Sequence, residues 1–170
     1  VSINTGSNNI AIGVSSGSSI QNAIGNICIG NQSGDALVGG NSNVLIGTSS
    51  GTNLTNNQNV MIGNSTGINT ALADNNVFVG HQCGFNLING DNNVFIGSDS
   101  GPLGAQSFNG SVLIGNNVGG ATVGSNRLMI DNSSTNEPLI DGDFLADTLQ
   151  FNATTEIGKN GDTTIHRINT

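Results

Sequence analysis

Few residues in this 170-residue chain have reactive chemistry to offer: Cys28, Cys83, His81, His166 and scattered carboxylates that include Asp141 and Asp143. A thiol pair suggests a disulfide, a histidine near a cysteine suggests nucleophilic or metal chemistry, and Asp-Gly-Asp suggests a cation. None of these has the spacing its chemistry needs. No His/Cys/carboxylate cluster has metal-ligand spacing. The Gly-Gly-x-Gly-x-Asp repeat of calcium-binding β-rolls is missing, which leaves Asp141 and Asp143 a minor cation candidate. The residues therefore predict no catalytic, cofactor-binding or metal role, and a protein that is not an enzyme. What the two thiols mean depends on the elements that position them.

Composition narrows the classes. The chain carries 26 Gly, no Trp, no Tyr and 8% charged residues, against about 25% charged in an ordinary domain. Net charge is −8, and residues 1–126 contain neither Lys nor Arg. Nucleic acids and anionic membranes recruit clustered basic side chains, so neither is expected as a partner. No apolar run is long enough to span a bilayer as a helix, and no direct membrane insertion is expected. The sequence starts within its own pattern, which suggests a piece of a longer protein.

That pattern is a repeat. The series runs NIAIGVSSG (9–17), NICIGNQSG (26–34), NVLIGTSSG (43–51), NVMIGNSTG (59–67), NVFVGHQCG (76–84), NVFIGSDSG (93–101) and SVLIGNNVG (111–119), and a broken copy, NRLMID (126–131), ends it. The central glycines are spaced 17, 17, 16, 17, 17 and 18 apart. The residues one and three places before each are β-branched in all seven copies, as strands favour. Two apart means one face of a strand. A second glycine four places on marks a corner. About seven places after the central glycine stands an aliphatic residue: Ile3, Ile20, Leu37, Leu54 and Leu87, with Leu72, Leu103 and Val123 displaced. This predicts a second short strand returning across the corner.

The period is too short for a helix pair or a propeller blade. It fits one rung of a parallel β-solenoid, with rungs about 4.8 Å apart. Cys28 and Cys83 then stand three rungs, roughly 14 Å, apart, beyond disulfide reach, and are expected as free buried thiols. His81 reads as a solvated corner residue. The asparagines that open six of the units are expected to stack as a hydrogen-bonded ladder.

The column between the β-branched pair is Ala11, Cys28, Leu45, Met61, Phe78, Phe95 and Leu113. It points opposite to its neighbours. With the β-branched pair assigned to the interior, this column faces outward, yet it holds no polar residue. A strand apolar on both faces is buried on both. The expectation is that these seven residues form a trimer interface.

The units resemble the head repeats of trimeric autotransporter adhesins of the Yersinia-adhesin type, whose unit reads roughly Ser-Val-Ala-Ile-Gly followed by a Ser/Ala/Gly corner. Similar repeats occur in fibres of phages and predatory bacteria. The resemblance covers residues 9–124. It implies a left-handed parallel β-roll in each chain, three chains bundled as a homotrimer, a cell-surface or extracellular location, and attachment to a cell or host surface. A virion fibre is the alternative location. Here the unit is longer than the family's usual one, and the column where the family holds alanine grades from Ala11 to Phe95. A passive spacer, or a receptor-binding tail fibre, is the alternative function. A hexapeptide-repeat acyltransferase is a remote rival, disfavoured by a period that drifts from 16 to 18.

The fold class expected is thus all-β: residues 1–124 as β-roll head repeats, and 125–170 as a short-stranded β cap or connector. Strands are expected at RLMI, PLI, TLQF, TEIG and TTIHRI. Variable loops between rungs are where recognition is expected, with a surface glycan or protein receptor as partner. Phe85 and Phe108 lie outside the repeat columns and are the tentative surface-recognition residues.

Overall fold

The computed structural model of the chain describes residues 6–102, 106–119, 124–134 and 137–152, and these are all-β with no helix. Strands β1 (Ile10–Ile12), β2 (Ile27–Ile29), β3 (Val44–Ile46), β4 (Val60–Ile62) and β5 (Val77–Val79) are the first five repeats. β6 (Leu87–Asn89) follows the fifth corner, β7 (Val94–Ile96) is the sixth repeat, β8 (Gln106–Ser107) follows it, and β9 (Val112–Ile114) is the seventh. β10 (Arg127–Ile130), β11 (Ile140–Asp143) and β12 (Thr148–Phe151) end the described chain.

The repeat strands pair in parallel with no slip, Ile10 against Ile27, Ile27 against Val44, and so on to Val94 against Val112. One sheet of ten strands results, in the order β1-β2-β3-β4-β5-β7-β9-β10-β11-β12. This is a parallel β-solenoid of about seven turns of roughly 17 residues. β10 adds to β9 in parallel as an eighth rung, so the broken copy at 126–131 still obeys the repeat. β11 and β12 then pair antiparallel.

The central glycines are dictated by close approach. Their φ lies between 127° and 144°, a region other residues avoid. A Cβ on Gly13, Gly30, Gly47, Gly63, Gly80 or Gly97 would stand 2.1–2.5 Å from the carbonyl oxygen of the next rung's glycine. The glycine column therefore lets successive turns stack at strand spacing.

The returning side is less regular than the sequence predicts. Among the described residues, only β6 and β8 form strands there, joined to each other in parallel, with a single parallel bridge from Leu72 to Asn89. Elsewhere the turns are tied rung to rung by single backbone bonds, such as Gly17 N–H to Ser33 O at 2.8 Å and Ala36 N–H to Thr52 O at 2.9 Å. Ile20, Leu37, Leu54 and Leu87 occupy the interior from this side, as expected. Leu72 does not: it is 58% exposed, and Thr70 takes the interior place. Counting seven from Gly63 gives Thr70, so the stricter spacing was the better guide. Ile3, Leu103, Val123 and the segments TEIG and TTIHRI lie outside the described residues. TLQF is β12 and RLMI is β10, whereas PLI contributes only its isoleucine, to β11.

The core is one cluster, built from the middle residues of the repeat strands and from the Ile20, Leu37, Leu54 and Leu87 side chains that come in from the returning side. Phe78 and Phe95 stack at 4.8 Å with their planes 13° apart, and Phe108 tilts against Phe95 at 5.7 Å. Stacked rings of this kind add to the value of simple burial.

Candidate functional site

The faces of the repeat strands are the reverse of the sequence expectation. Cys28, Leu45, Met61, Phe78, Phe95 and Leu113 are completely buried within the single chain, and Ala11 is half-buried in the first described rung. Six of the seven thus belong to the roll's own core, with Ala11 in line with them, and the column is not the outward face expected from the sequence. The β-branched pair was correctly read as sharing a face, but that face is the outer one.

The physical reason lies two residues upstream. Asn26, Asn43, Asn59, Asn76 and Asn93 stand two places before the middle column, hence on the same side of the strand, and all are fully buried. Each asparagine Oδ1 accepts the backbone N–H of the next asparagine at 2.8–3.0 Å and its Nδ2 at 3.0–3.2 Å. Each Nδ2 also donates to a carbonyl of the following turn, from Asn9 to Ala23 O at 2.7 Å through Asn93 to Phe108 O at 2.9 Å. Ser111 N–H closes the column on Asn93 Oδ1 at 3.0 Å. The expected ladder is present, and placing it away from water carries the middle column inside with it. That parity was available in the sequence.

A second ladder was missed. Two places before Asn43, Asn59, Asn76 and Asn93, and before Ser111 and Arg127 that hold the same place in the later rungs, stand Asn41, Asn57, Asp74, Asp91, Asn109 and Ser125. Here the side-chain oxygen accepts from the preceding rung: Ile24 N–H to Asn41 Oδ1 at 2.8 Å, Asn41 N–H to Asn57 Oδ1 at 2.9 Å, Asn57 N–H to Asp74 Oδ1 at 2.7 Å. It continues through Asp74 N–H to Asp91 Oδ1 at 2.8 Å, Asp91 N–H to Asn109 Oδ1 at 2.7 Å and Asn109 N–H to Ser125 Oγ at 3.0 Å. The signal was the recurrent Asn/Asp-x-Asn spacing. The two ladders point in opposite directions along the axis and lock each turn to both neighbours.

The reactive residues fall into structural places. Ser16, Ser33 and Ser50 donate their hydroxyls to Cys28 O, Leu45 O and Met61 O at 2.8–2.9 Å, and Cys83 holds the same place, its thiol reaching Phe95 O at 3.3 Å. Cys28 belongs to the core column. Both thiols are free and buried. Burial pushes the Cys28 thiol up to about 11. Burial, with the charge of Asp99 adding, pushes Cys83 to about 12 against a lowering contact from the Val79 backbone. His81 is exposed at its corner, and His166 lies outside the described residues. Asp141 pairs with Arg127. Asp143 accepts from the N–H groups of Leu145 and Ala146 in its own turn. Among the described residues, no three or more His, Cys, Asp or Glu side chains come together as a metal site.

Of the two tentative recognition residues, Phe108 is only 2% exposed and belongs to the core stack, because it reaches inward over Phe95. Phe85 is half-buried on a corner, where it lines an open cavity of about 260 Å³ with Gln82, Asn86, Asp99, Ser100 and Pro102.

The outer face is the surface feature that remains. Ile10, Ile12, Ile27, Ile29, Val44 and Ile46 begin two aliphatic rows that continue rung after rung to Val112 and Ile114. Ile10 and Ile12 are 48% and 58% exposed, and the other members are half-buried or exposed. No charged residue interrupts either row within β1 to β9. With the strands paired in register, both rows continue from one rung to the next, at about 4.8 Å per rung. Compared with family models, curated proteins and solved structures, the chain matches none.

Proposed function

We propose that the chain is a segment of a non-catalytic, trimeric fibre that serves attachment to a cell or host surface. The observation that carries the trimer is the outer aliphatic face. A contiguous apolar surface of more than about 400 Å² is avoided on isolated domains. Two uninterrupted rows of Ile and Val along a seven-rung rod, on the order of 34 Å long and about 10 Å wide, approach that limit on the repeats alone. A partner of the same length and the same rung spacing fits such a face best, and another copy of this chain is one. Three copies placed in parallel around an axis, each a left-handed roll as the adhesin-head resemblance implies, turn every row inward. The seven core residues take no part in that contact; the β-branched pair does.

Attachment rests on the seven units, six opening with Asn and one with Ser, followed by Ile/Val-x-Ile/Val-Gly, and their resemblance to adhesin heads, together with loops that vary between the rungs. The location that goes with it is the cell surface or, alternatively, a virion fibre. Two measurements test the reading. Light scattering at micromolar concentration is expected to give three times the 17.1 kDa chain mass; a single-chain mass contradicts it. Binding of the chain to cells or a glycan array is expected, and binding that survives exchange of every inter-rung loop rules the loops out. A trimer with no binding leaves the passive-spacer reading.

A further inference from the structure

The outer aliphatic face does not stop where the repeats stop. Leu128 and Ile130 of β10 stand in register with Val112 and Ile114. Across the antiparallel pair, Leu128 lies opposite Gly142 and Ile130 opposite Ile140. One strand further, Gly142 lies opposite Leu149 and Ile140 opposite Phe151. Directly paired residues share a face of a sheet, so the two rows continue through Leu128/Ile130 and Ile140 to Leu149/Phe151. The last two are 55% and 50% exposed.

The other face of the same strands changes character. The column that is Phe95, Leu113 and Met129 inside the roll becomes Asp141 and then Gln150. The column beside it reads Arg127, Asp143 and Thr148. Arg127 pairs with Asp141 and donates from Nε to Gly142 O at 3.1 Å. The side that would hold the roll's core therefore turns polar and wet, while the outer side stays apolar. A hairpin that merely ended the roll would need the opposite: an apolar inner side laid over Met129, and polar residues outside.

Resting on the trimer reading above, we infer that the hairpin formed by β11 and β12 is the continuation of the interface between copies of this chain, with Leu149 and Phe151 packed against the equivalent face of neighbouring copies. The occupant is a second copy because the face is collinear with the repeat rows, shares their register and adds no charge to them. With β10, β11 and β12 included, the strip has ten strands, about 48 Å at about 4.8 Å each. It then exceeds the apolar patch an isolated domain tolerates.

The test uses the full chain carrying Leu149→Cys or, as its neighbour on the opposite face, Gln150→Cys, under mild oxidation at micromolar concentration. The native thiols are buried and serve as an internal blank. Leu149→Cys is expected to give a disulfide-linked dimer band and Gln150→Cys at least tenfold less. In parallel, Leu149→Asp is expected to weaken association at least tenfold by dilution, with the circular dichroism of the chain unchanged. Light scattering separates the two levels of the account. If the chain has a multimeric mass but both cysteines cross-link equally or neither does, or Leu149→Asp associates normally, the hairpin inference is overturned and the trimer reading stands. If the unmodified chain has a single-chain mass, the trimer reading falls and takes this inference with it.

Discussion

The seven repeat rungs and the terminal hairpin share one sheet but divide apolar and polar residues differently. In the rungs both faces of the strand are apolar, and polar side chains lie in the corners, the loops and the asparagine ladders. In β11 and β12 only the outer face is apolar, and the inner one carries Asp141, Asp143, Thr148 and Gln150. The inner column is thus a requirement of the single chain, lost as soon as there is no roll left to fill. The outer rows persist where the roll does not, as the proposed interface between copies requires. On that proposal, folding and assembly use opposite sides of the same three-residue strands.

Substitutions can break that contrast, beginning with the backbone. Gly63→Val places a Cβ about where the Gly80 oxygen stands, 2.2 Å away, at a φ of 143°. Its cost is expected to exceed 4 kcal/mol, seen as loss of the denaturant transition. Phe78→Ala removes one end of the aromatic stack and is expected to cost about 3–5 kcal/mol; the equivalent truncation on the hairpin's inner side, Gln150→Ala, is expected within about 0.5 kcal/mol of zero. Asn59→Ala strands a buried backbone N–H of Asn76 and unties Ala73 O. A loss of about 2 kcal/mol is expected, read by urea denaturation, with faster amide exchange at Asn76 as the local signature.

A further effect is on pH. Cys28 and Cys83 hold their protons in the fold to about 11 and about 12, against an ordinary 9.0. Above pH 9 the unfolded chain loses protons that the folded chain keeps, so stability falls as pH rises. The slope is bounded at about 1.4 kcal/mol per pH unit per thiol. The stability contribution of the two thiols is fully present below pH 9 and is lost through the window from 9.0 up to the folded values. Cys83→Ser keeps the hydrogen bond to Phe95 O available and is expected to flatten part of that decline.

Much of the fold was legible because its signals are periodic. The glycine spacing gave the rungs, the β-branched pairs gave the strands, and the lead asparagines gave one ladder. What was misread was parity. A three-residue strand with apolar residues on both sides does not itself say which is inside, and β-branching reports strand, not burial. The deciding fact was that Asn43 and Leu45 share a side, and a ladder of neutral amides gains most away from water. Phe108 was misplaced because the alignment broke after Gly101, where the turn lengthens by one residue. It sits three before Ser111, a place held by Ala23, Gly40, Ala73 and Gly90 in other turns, and swings its ring inward. The outer face, here proposed as the assembly surface, could be read from the sequence only once its partner column had been assigned.

A matched pair of charges on adjacent residues tests the central claim most directly. Met61→Asp puts a carboxylate into the core column and Ile62→Asp puts one on the outer face, one residue along the same strand β4. Mass by light scattering, followed with circular dichroism on the same samples, is the measurement. The account predicts that Met61→Asp loses the fold, whereas Ile62→Asp keeps the strand signal and drops from a three-chain to a single-chain mass. An Ile62→Asp chain that retains its full assembly mass, or an unaltered chain already single, contradicts it.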